Sequence, residues 1–442
     1  MSTPSLLLGT LFANLRPRGL VWALPRLAPL LLMLVWLAGG GAVSGHAAGF
    51  TIYSQGTGAM GQGNAFVAEA DDPSAVFYNP AGINQLPRPA VYGMALITTP
   101  TREYDSPVGR SAETDAKVLL SGTFYLVYPL TTKVALGFGV FAPFGQESTW
   151  PQTWEGRYLT THGSLKTYCF NPVISFQAHE NFTIALGFDA MLSTVKLRRQ
   201  VALPFGLPDL DKELKGEGTG YGFNLGLLWK VVEGLKVGLS YRYQLDVKYT
   251  GTIRLPQPTL GGIQMSSFPA SANLTFPHLL TLGVSVSRLS PWVFNFDVTW
   301  TGWSSFRAIE VRSSQPLLFN GVPTKLLVTP RDWHDAWTFR FGVNCQVHPL
   351  VKLRAGYTYD LSSIPDSTFD PQIINTDQHI FTVGADVKIR RLTLGLAYNY
   401  LLGEKRQKNN TIATNGVPAP LQANGSYQST AHGWGISLAY QF

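Results

Sequence analysis

Charge is scarce in this chain. Asp, Glu, Lys and Arg make up 14% of its 442 residues, well under the roughly 25% of a soluble domain, so much of its surface suits an apolar neighbour. No Lys/Arg-rich block occurs, which excludes the electrostatic footprint of a nucleic-acid-binding protein. Cysteine is almost absent. Cys169 and Cys345 fall on opposite faces of the alternation described below, so two free thiols are expected rather than a disulfide. After residue 48 no stretch holds 18 consecutive apolar residues, which removes transmembrane helices. The seven histidines of that region (162, 179, 278, 334, 348, 379 and 432) are scattered without metal-ligand spacing. G-x-S-x-G, H-E-x-x-H and P-loop patterns are all missing. No enzymatic chemistry, metal or cofactor is expected.

What is present begins with a leader. Residues 1–47 carry Arg16, Arg18 and Arg26 with no acid, then the apolar run Leu27 to Leu37, then small residues ending Gly45-His46-Ala47. That is the layout of a secretory signal peptide, and its core is too short to span a bilayer. Setting it aside lowers the formal charge from +7 to +4.

The rest is dominated by period-2 alternation. From Leu235 to Tyr249 every odd position is apolar or aromatic and every even one is Gly or polar, fifteen residues without a break. The same split recurs in Tyr221 to Lys230, Val351 to Asp360, Leu392 to Tyr400 and Trp434 to Phe442. Fourteen strands are predicted, near 89–101, 115–129, 133–145, 165–179, 182–200, 218–231, 235–254, 271–288, 291–307, 334–348, 351–361, 378–389, 392–403 and 429–442. They are long enough to cross a bilayer tilted, for which about 9–11 residues suffice. Six connections are tight and seven are long (102–114, 146–164, 201–217, 255–270, 308–333, 362–377 and 404–428). Short turns at one end and long loops at the other are the layout of an outer-membrane barrel, and closure is what satisfies the backbone in lipid. The fold expected is all-β: a fourteen-stranded antiparallel transmembrane β-barrel in a bacterial outer membrane. A terminal aromatic, Phe442, sits on the apolar face of the last strand, where the barrel-assembly machinery is expected to read it. A monomer surrounded by outer-membrane lipid is expected.

One stretch breaks the pattern. Residues 63–86, GNAFVAEADDPSAVFYNPAGINQL, lack alternation and hold an Asn79-Pro80-Ala81 turn that no central strand accepts. About forty residues precede the first strand, too few to bury a core alone, so residues 48–88 are expected to fold inside the lumen as a plug, with 89–442 as the barrel.

The residues from Ala48 to Ile83 resemble the N-terminal hatch of the long-chain fatty acid transporter family, the FadL/TodX group of outer-membrane channels for hydrophobic compounds. Gly49-Phe50, the Gly-rich stretch, the acidic run and Asn79-Pro80-Ala81 stand in the family's order, followed by Pro143-Phe144-Gly145, Trp154-x-Gly156-Arg157-Tyr158, Trp300-x-x-Trp303-Ser304-x-Phe306 and Arg354-Ala355-Gly356-Tyr357 leading to Asp360. The resemblance implies passive uptake of a hydrophobic ligand, with lateral release into the membrane through an inward kink of the third strand. Gly139 and Ala142-Pro143 are that kink's counterpart here, since Pro removes a ladder donor. It also implies that Phe50 and Arg199 bind ligand, and that His334 stands where the family usually has Lys, which makes a neutral or aromatic hydrocarbon a competing substrate. Arg242, Arg340 and Asp360 are further candidates on the lumen face. Asn79, Pro80 and Ala81 are expected to hold the hatch against the third strand. A general porin, and a surface adhesin or phage receptor acting through the long loops, are the alternatives.

Overall fold

The computed structural model describes residues 49–203, 207–259, 262–319, 322–411 and 422–442; the expected leader lies outside them. Fourteen crossing strands follow in order. They are β1 (Ala90–Asp105), β2 (Leu119–Pro129), β3 (Val134–Phe141 and Gly145–Thr149), β4 (His162–His179), β5 (Phe182–Val201), β6 (Leu210–Val232) and β7 (Leu235–Arg242 and Leu245–Thr259). Then come β8 (Gly262–Phe276 and Leu279–Val286), β9 (Trp292–Thr301 and Ala308–Phe319), β10 (Val322–Pro330 and Ala336–His348), β11 (Val351–Asp360), β12 (Gln378–Ile389), β13 (Leu392–Gly403) and β14 (Gly425–Gln441). Each pairs antiparallel with the next, and β1 pairs with β14 from Ala90↔Gln441 to Asp105↔Ser426. The sheet is therefore a closed barrel with no edge left for hydrocarbon to meet.

The lipid-facing band is read from the outward residues. On β5 these are Phe182, Ile184, Leu186, Phe188, Ala190 and Leu192, followed by Thr194, Lys196 and Arg198. Ten residue steps at about 3.3 Å give a run of about 33 Å along the strand, or about 25 Å of membrane depth at the usual tilt. On β6 the change from apolar to charged falls between Tyr221 and Glu217. Above that level the strands stand clear of the membrane.

Much of three expected long loops is in fact strand. Residues 210–217, 255–259, 262–270, 308–319 and 322–330 carry β6 through β10 upward. The reason is an inversion of the two faces. Below the boundary the odd residues of β7, such as Leu239 and Tyr241, face lipid; above it Leu245, Val247 and Tyr249 are buried inside, while Asp246 and Lys248 face out. The register explains the switch: Asn224 pairs with Arg242 but Thr219 pairs with Lys248, so β7 carries one extra residue at Tyr243-Gln244. A one-residue slip turns every later side chain to the other face. The fifteen-residue alternation is unbroken in sequence but crosses two environments, apolar-out in lipid and apolar-in above it.

Strands β3, β8, β9 and β10 are interrupted as well, at residues 142–144, 277–278, 302–307 and 331–335. Around the interruptions Phe144, Phe276, Trp303, Phe306 and Trp333 are buried inside the barrel.

Candidate functional site

The segment before β1 is enclosed by the barrel. It contains α1 (Thr57–Gly61), α2 (Ala75–Tyr78) and a 3-10 turn at Pro80–Gln85, and nearly all of residues 49–83 are buried. Such short helices are not stable alone, so their order comes from the wall. Gly63 N donates to Thr382 Oγ1 at 2.8 Å on β12, and Thr358 Oγ1 on β11 donates to Gly63 O at 2.7 Å. Asp297 on β9 accepts from Phe66 N at 2.7 Å and Val67 N at 3.0 Å. Glu69 accepts from Asn295 at 2.6 Å and Asn344 at 3.0 Å, and Arg354 donates to Gln62 Oε1 at 2.6 Å while pairing with Asp386 at 2.8 Å. Lumen-facing glycines make room for this close approach: a Cβ on Gly356 would stand 2.2 Å from the Gln62 carbonyl carbon.

Asn79 caps the 3-10 turn. Its side-chain oxygen accepts from Ala81 N at 3.2 Å, and its amide donates to Val67 O at 2.8 Å and to Leu227 O on β6 at 2.9 Å; Pro80 fills the first helical position, where its missing N–H costs nothing. Asn79, Pro80 and Ala81 of the turn sit against β4, β5 and β6, and Ile83 farther along it reaches β3. Ala81 packs with Ala185 and Leu228, and a Cβ on Gly226 would meet Asn79 Oδ1 at 2.4 Å. The residues that face β3 are Val76 and Ile83, against Gly137, with Val76 also against Gly139.

The break in β3 is repaired from inside. Ile52 N donates to Pro143 O at 2.8 Å, Gly145 N donates to Phe50 O at 2.8 Å, and Gln55 Nε2 donates to Ala142 O at 2.7 Å. Thr167 on β4 satisfies both Phe144 N and Phe144 O. The kink is thus stabilised by the chain's own residues 50–55, which keep its polar backbone paired in an apolar setting.

Phe50 is the centre of the aromatic cluster. Its ring lies 4.7 Å from Trp303, 5.7 Å from Phe276, 5.8 Å from Trp333, 6.1 Å from Phe144 and 6.2 Å from Phe306. Two adjoining cavities open beside it, sharing Leu197, Leu214, Ile309 and Gln372. The lower, lined by Phe50, Leu165, Tyr249, Leu274 and Phe306, has no charged residue in its lining among the described residues. The upper is apolar along Ile253, Val311 and Leu327 and carries Arg199, Lys212 and Arg331 with Asp370. Arg331 is buried and paired with Asp370, and it also donates to Gln372. The two cavities together form an amphipathic slot, cationic at one end and aromatic at the other.

Of the expected ligand residues, Phe50 and Arg199 line this slot. His334 does not: its side chain is exposed within the break of β10, and Arg331 lines the slot from that same interruption. Arg242 is paired with Asp189 and lies 5.1 Å over Phe141. Arg340 lies 4.0 Å over the Tyr53 ring and donates to Thr299 at 2.5 Å, and Asp360 accepts from Thr338 at 2.6 Å. These three belong to the wall around the enclosed segment, away from the slot, because each has been recruited by a barrel or segment partner. Lys212 was hidden because residues 201–217 read as loop; seen as strand, it shares a face with Leu214. Cys169 and Cys345 are both buried and unpaired with one another. Among the described residues no group of His, Cys, Asp or Glu is placed to hold a metal.

A closed sheet with a lipid-facing apolar band and an enclosed apolar chamber defines a transmembrane β-barrel of the bacterial outer membrane that holds a hydrophobic compound instead of a column of water. The chain belongs to the family described as outer membrane protein transport protein (OMPP1/FadL/TodX), whose model matches residues 40–442. It is a channel for hydrophobic compounds, not an enzyme. A long-chain fatty acid transport protein of Escherichia coli is 22% identical over 393 residues, covering 78% of this chain and 85% of that protein. The crystal structure of a Pseudomonas aeruginosa FadL homologue superposes with a TM-score of 0.76 at 20% identity, over 89% of this chain and 100% of the other. That of the Ralstonia pickettii toluene transporter TbuX gives 0.67 at 15% identity, over 88% and 98%.

Proposed function

We propose that the protein takes up long-chain fatty acids, with residues 48–88 acting as a hatch and release occurring sideways through the break in β3. The observation that carries the reading is the slot itself. Arg199 and Lys212 give a carboxylate charge-assisted donors, beside the Arg331–Asp370 pair, and the apolar lining leading to Phe50 takes the chain. At about 0.8 kcal/mol per buried CH₂, a sixteen-carbon chain prefers such a lining to water by roughly 12 kcal/mol. A route that opens to lipid beside Pro143 keeps that preference satisfied. The protein acts as a monomer whose leader is removed on export and whose terminal Phe442 is read by the barrel-assembly machinery.

A second reading, uptake of an aromatic hydrocarbon, is favoured by one feature: the lower cavity is ringed by Phe50, Tyr249 and Phe306 and has no cation in its lining among the described residues. Labelled oleate and labelled toluene, offered in parallel to cells that depend on this protein, separate the two. Saturable oleate uptake that disappears when Pro80 is deleted supports the fatty acid reading; toluene uptake without oleate uptake supports the second. Oleate uptake unaltered by the deletion overturns the role given to the hatch.

A further inference from the structure

Outside the barrel, just above the lipid-facing band, four neighbouring strands carry a patch that transport does not use. The register lines it up in rows. Ser164, Lys196, Lys215 and Thr252 form one row across β4 to β7, and Lys166, Thr194, Glu217 and Thr250 form the next row toward the membrane. Arg198, Glu213 and Arg254 stand in the row above. Lys196 and Lys215 are direct cross-strand partners, an arrangement of like charges that destabilises a sheet unless something lies between them. Glu213 supplies part of the compensation, at 2.8 Å from Lys215 and 3.7 Å from Lys196, and it is shared with Arg198. Glu213 thus serves three cations, Glu217 is the second acid of the patch, and the Lys166 ammonium makes no hydrogen bond or ion pair among the described residues. The patch keeps a net positive charge.

The same residues bound a shallow concavity of about 400 Å³. Its floor is backbone at Gly216 and Gly251, and its rim carries the three ammonium groups of Lys166, Lys196 and Lys215 and one carboxylate, Glu217, together with the hydroxyls of Ser164, Thr194, Thr250 and Thr252. Its height is fixed by the outward residues below. Tyr168 and Phe170 follow Lys166 on β4, Leu192 precedes Lys196 by four residues on β5, and Tyr221 lies six residues beyond Lys215 on β6. Ammonium groups on flexible stems at that height reach the headgroup layer.

We propose that this concavity binds the phosphorylated headgroup of an outer-leaflet glycolipid, the phosphate taken by Lys166, Lys196 and Lys215 and the sugar hydroxyls by the serine and threonine rim. Charge complementarity chooses the occupant: a cationic cup beside the bilayer faces phosphate groups held in the membrane surface, and each lysine adds to retention in the way of other membrane-surface basic clusters.

The test uses the full-length protein in detergent, titrated with diphosphorylated lipid A, with the same lipid after phosphatase treatment, and with inorganic phosphate. Wild type is expected to bind the diphosphorylated lipid on the order of 100-fold more tightly than the dephosphorylated one, from three lysines acting together. The triple variant Lys166→Gln, Lys196→Gln, Lys215→Gln is expected to lose that preference, and the corresponding triple Arg variant to keep it. Equal binding of the two lipids by wild type overturns the proposal without reference to any variant. So does a Gln variant that still discriminates, or inorganic phosphate that binds as tightly as the lipid.

Discussion

At the scale of single residues, the clearest division is between charges that hold the wall and charges that face the slot. Arg242, Arg340 and Arg354 are buried and consumed by Asp189, Thr299 and Asp386, whereas Arg199 lines the upper cavity. Arg199→Gln is therefore expected to weaken oleate binding about tenfold, from the loss of one charged hydrogen bond, and to leave binding of oleyl alcohol unchanged; parallel fluorescence titrations check it. Asp72 provides a second residue-scale prediction. Its half-buried carboxyl is pushed up to about 6, first by burial and then by the neighbouring Asp71 carboxylate. Between its ordinary value near 3.8 and about 6 the seated segment holds a proton that the free segment releases. The seated state is thus favoured at the acid end and loses that advantage as pH rises through 6. Amide exchange of residues 56–78 is expected to accelerate from pH 4.5 to 7 beyond its intrinsic rate, and the Asp72→Asn variant to lose this added pH dependence.

At the scale of elements, the face inversion in β7 is the feature most open to direct measurement. With Cys169 and Cys345 buried, a new cysteine can be read by a membrane-impermeant maleimide. Lys248→Cys is expected to label on intact cells and Val247→Cys to resist, whereas uniform alternation from Leu239 onward would give the opposite result. The inversion also marks where sequence stops being informative. Alternation alone identifies all fourteen strands, because lipid outside and polar residues inside repeat with period 2. It cannot tell apolar-out from apolar-in, since the two look identical in a list of residues. The bulge at Tyr243-Gln244 is invisible for the same reason: it changes the partner strand's register without changing the pattern. Phe50 and Arg199 were legible through resemblance, but Arg331 and Lys212 were not, because their positions follow from interruptions and extensions of strands. The break in β3 shows the complementary case, where Pro143 announced the break and its repair came from distant residues. Thr167→Val leaves Phe144 N and O without a partner, at a cost of roughly 2–4 kcal/mol. A lower midpoint of urea unfolding in lipid vesicles checks this.

At the scale of the whole molecule, the barrel and the enclosed segment have opposite tendencies. A fourteen-stranded wall on its own surrounds a lumen wide enough for water, and residues 49–86 fill it with buried side chains. Deletion of 49–86 is expected to turn a nearly silent protein into one with steady ion conductance of the order seen for general porins, recorded in planar bilayers. A deletion variant that stays silent would place the barrier in the aromatic cluster of the wall.

Thr57 stands at one further junction. Its hydroxyl meets Ser437 on β14 at 2.5 Å and its amide meets the Tyr92 hydroxyl on β1 at 2.7 Å, so one residue of the segment is fastened to both sides of the ladder that closes the barrel. The Thr57–Ser437 contact spans 380 residues, and contacts of that reach form late in folding. Zipping the first strand to the last and seating the segment are then one mechanical event: a force that draws the N-terminal chain out of the lumen loads the seam as it does so.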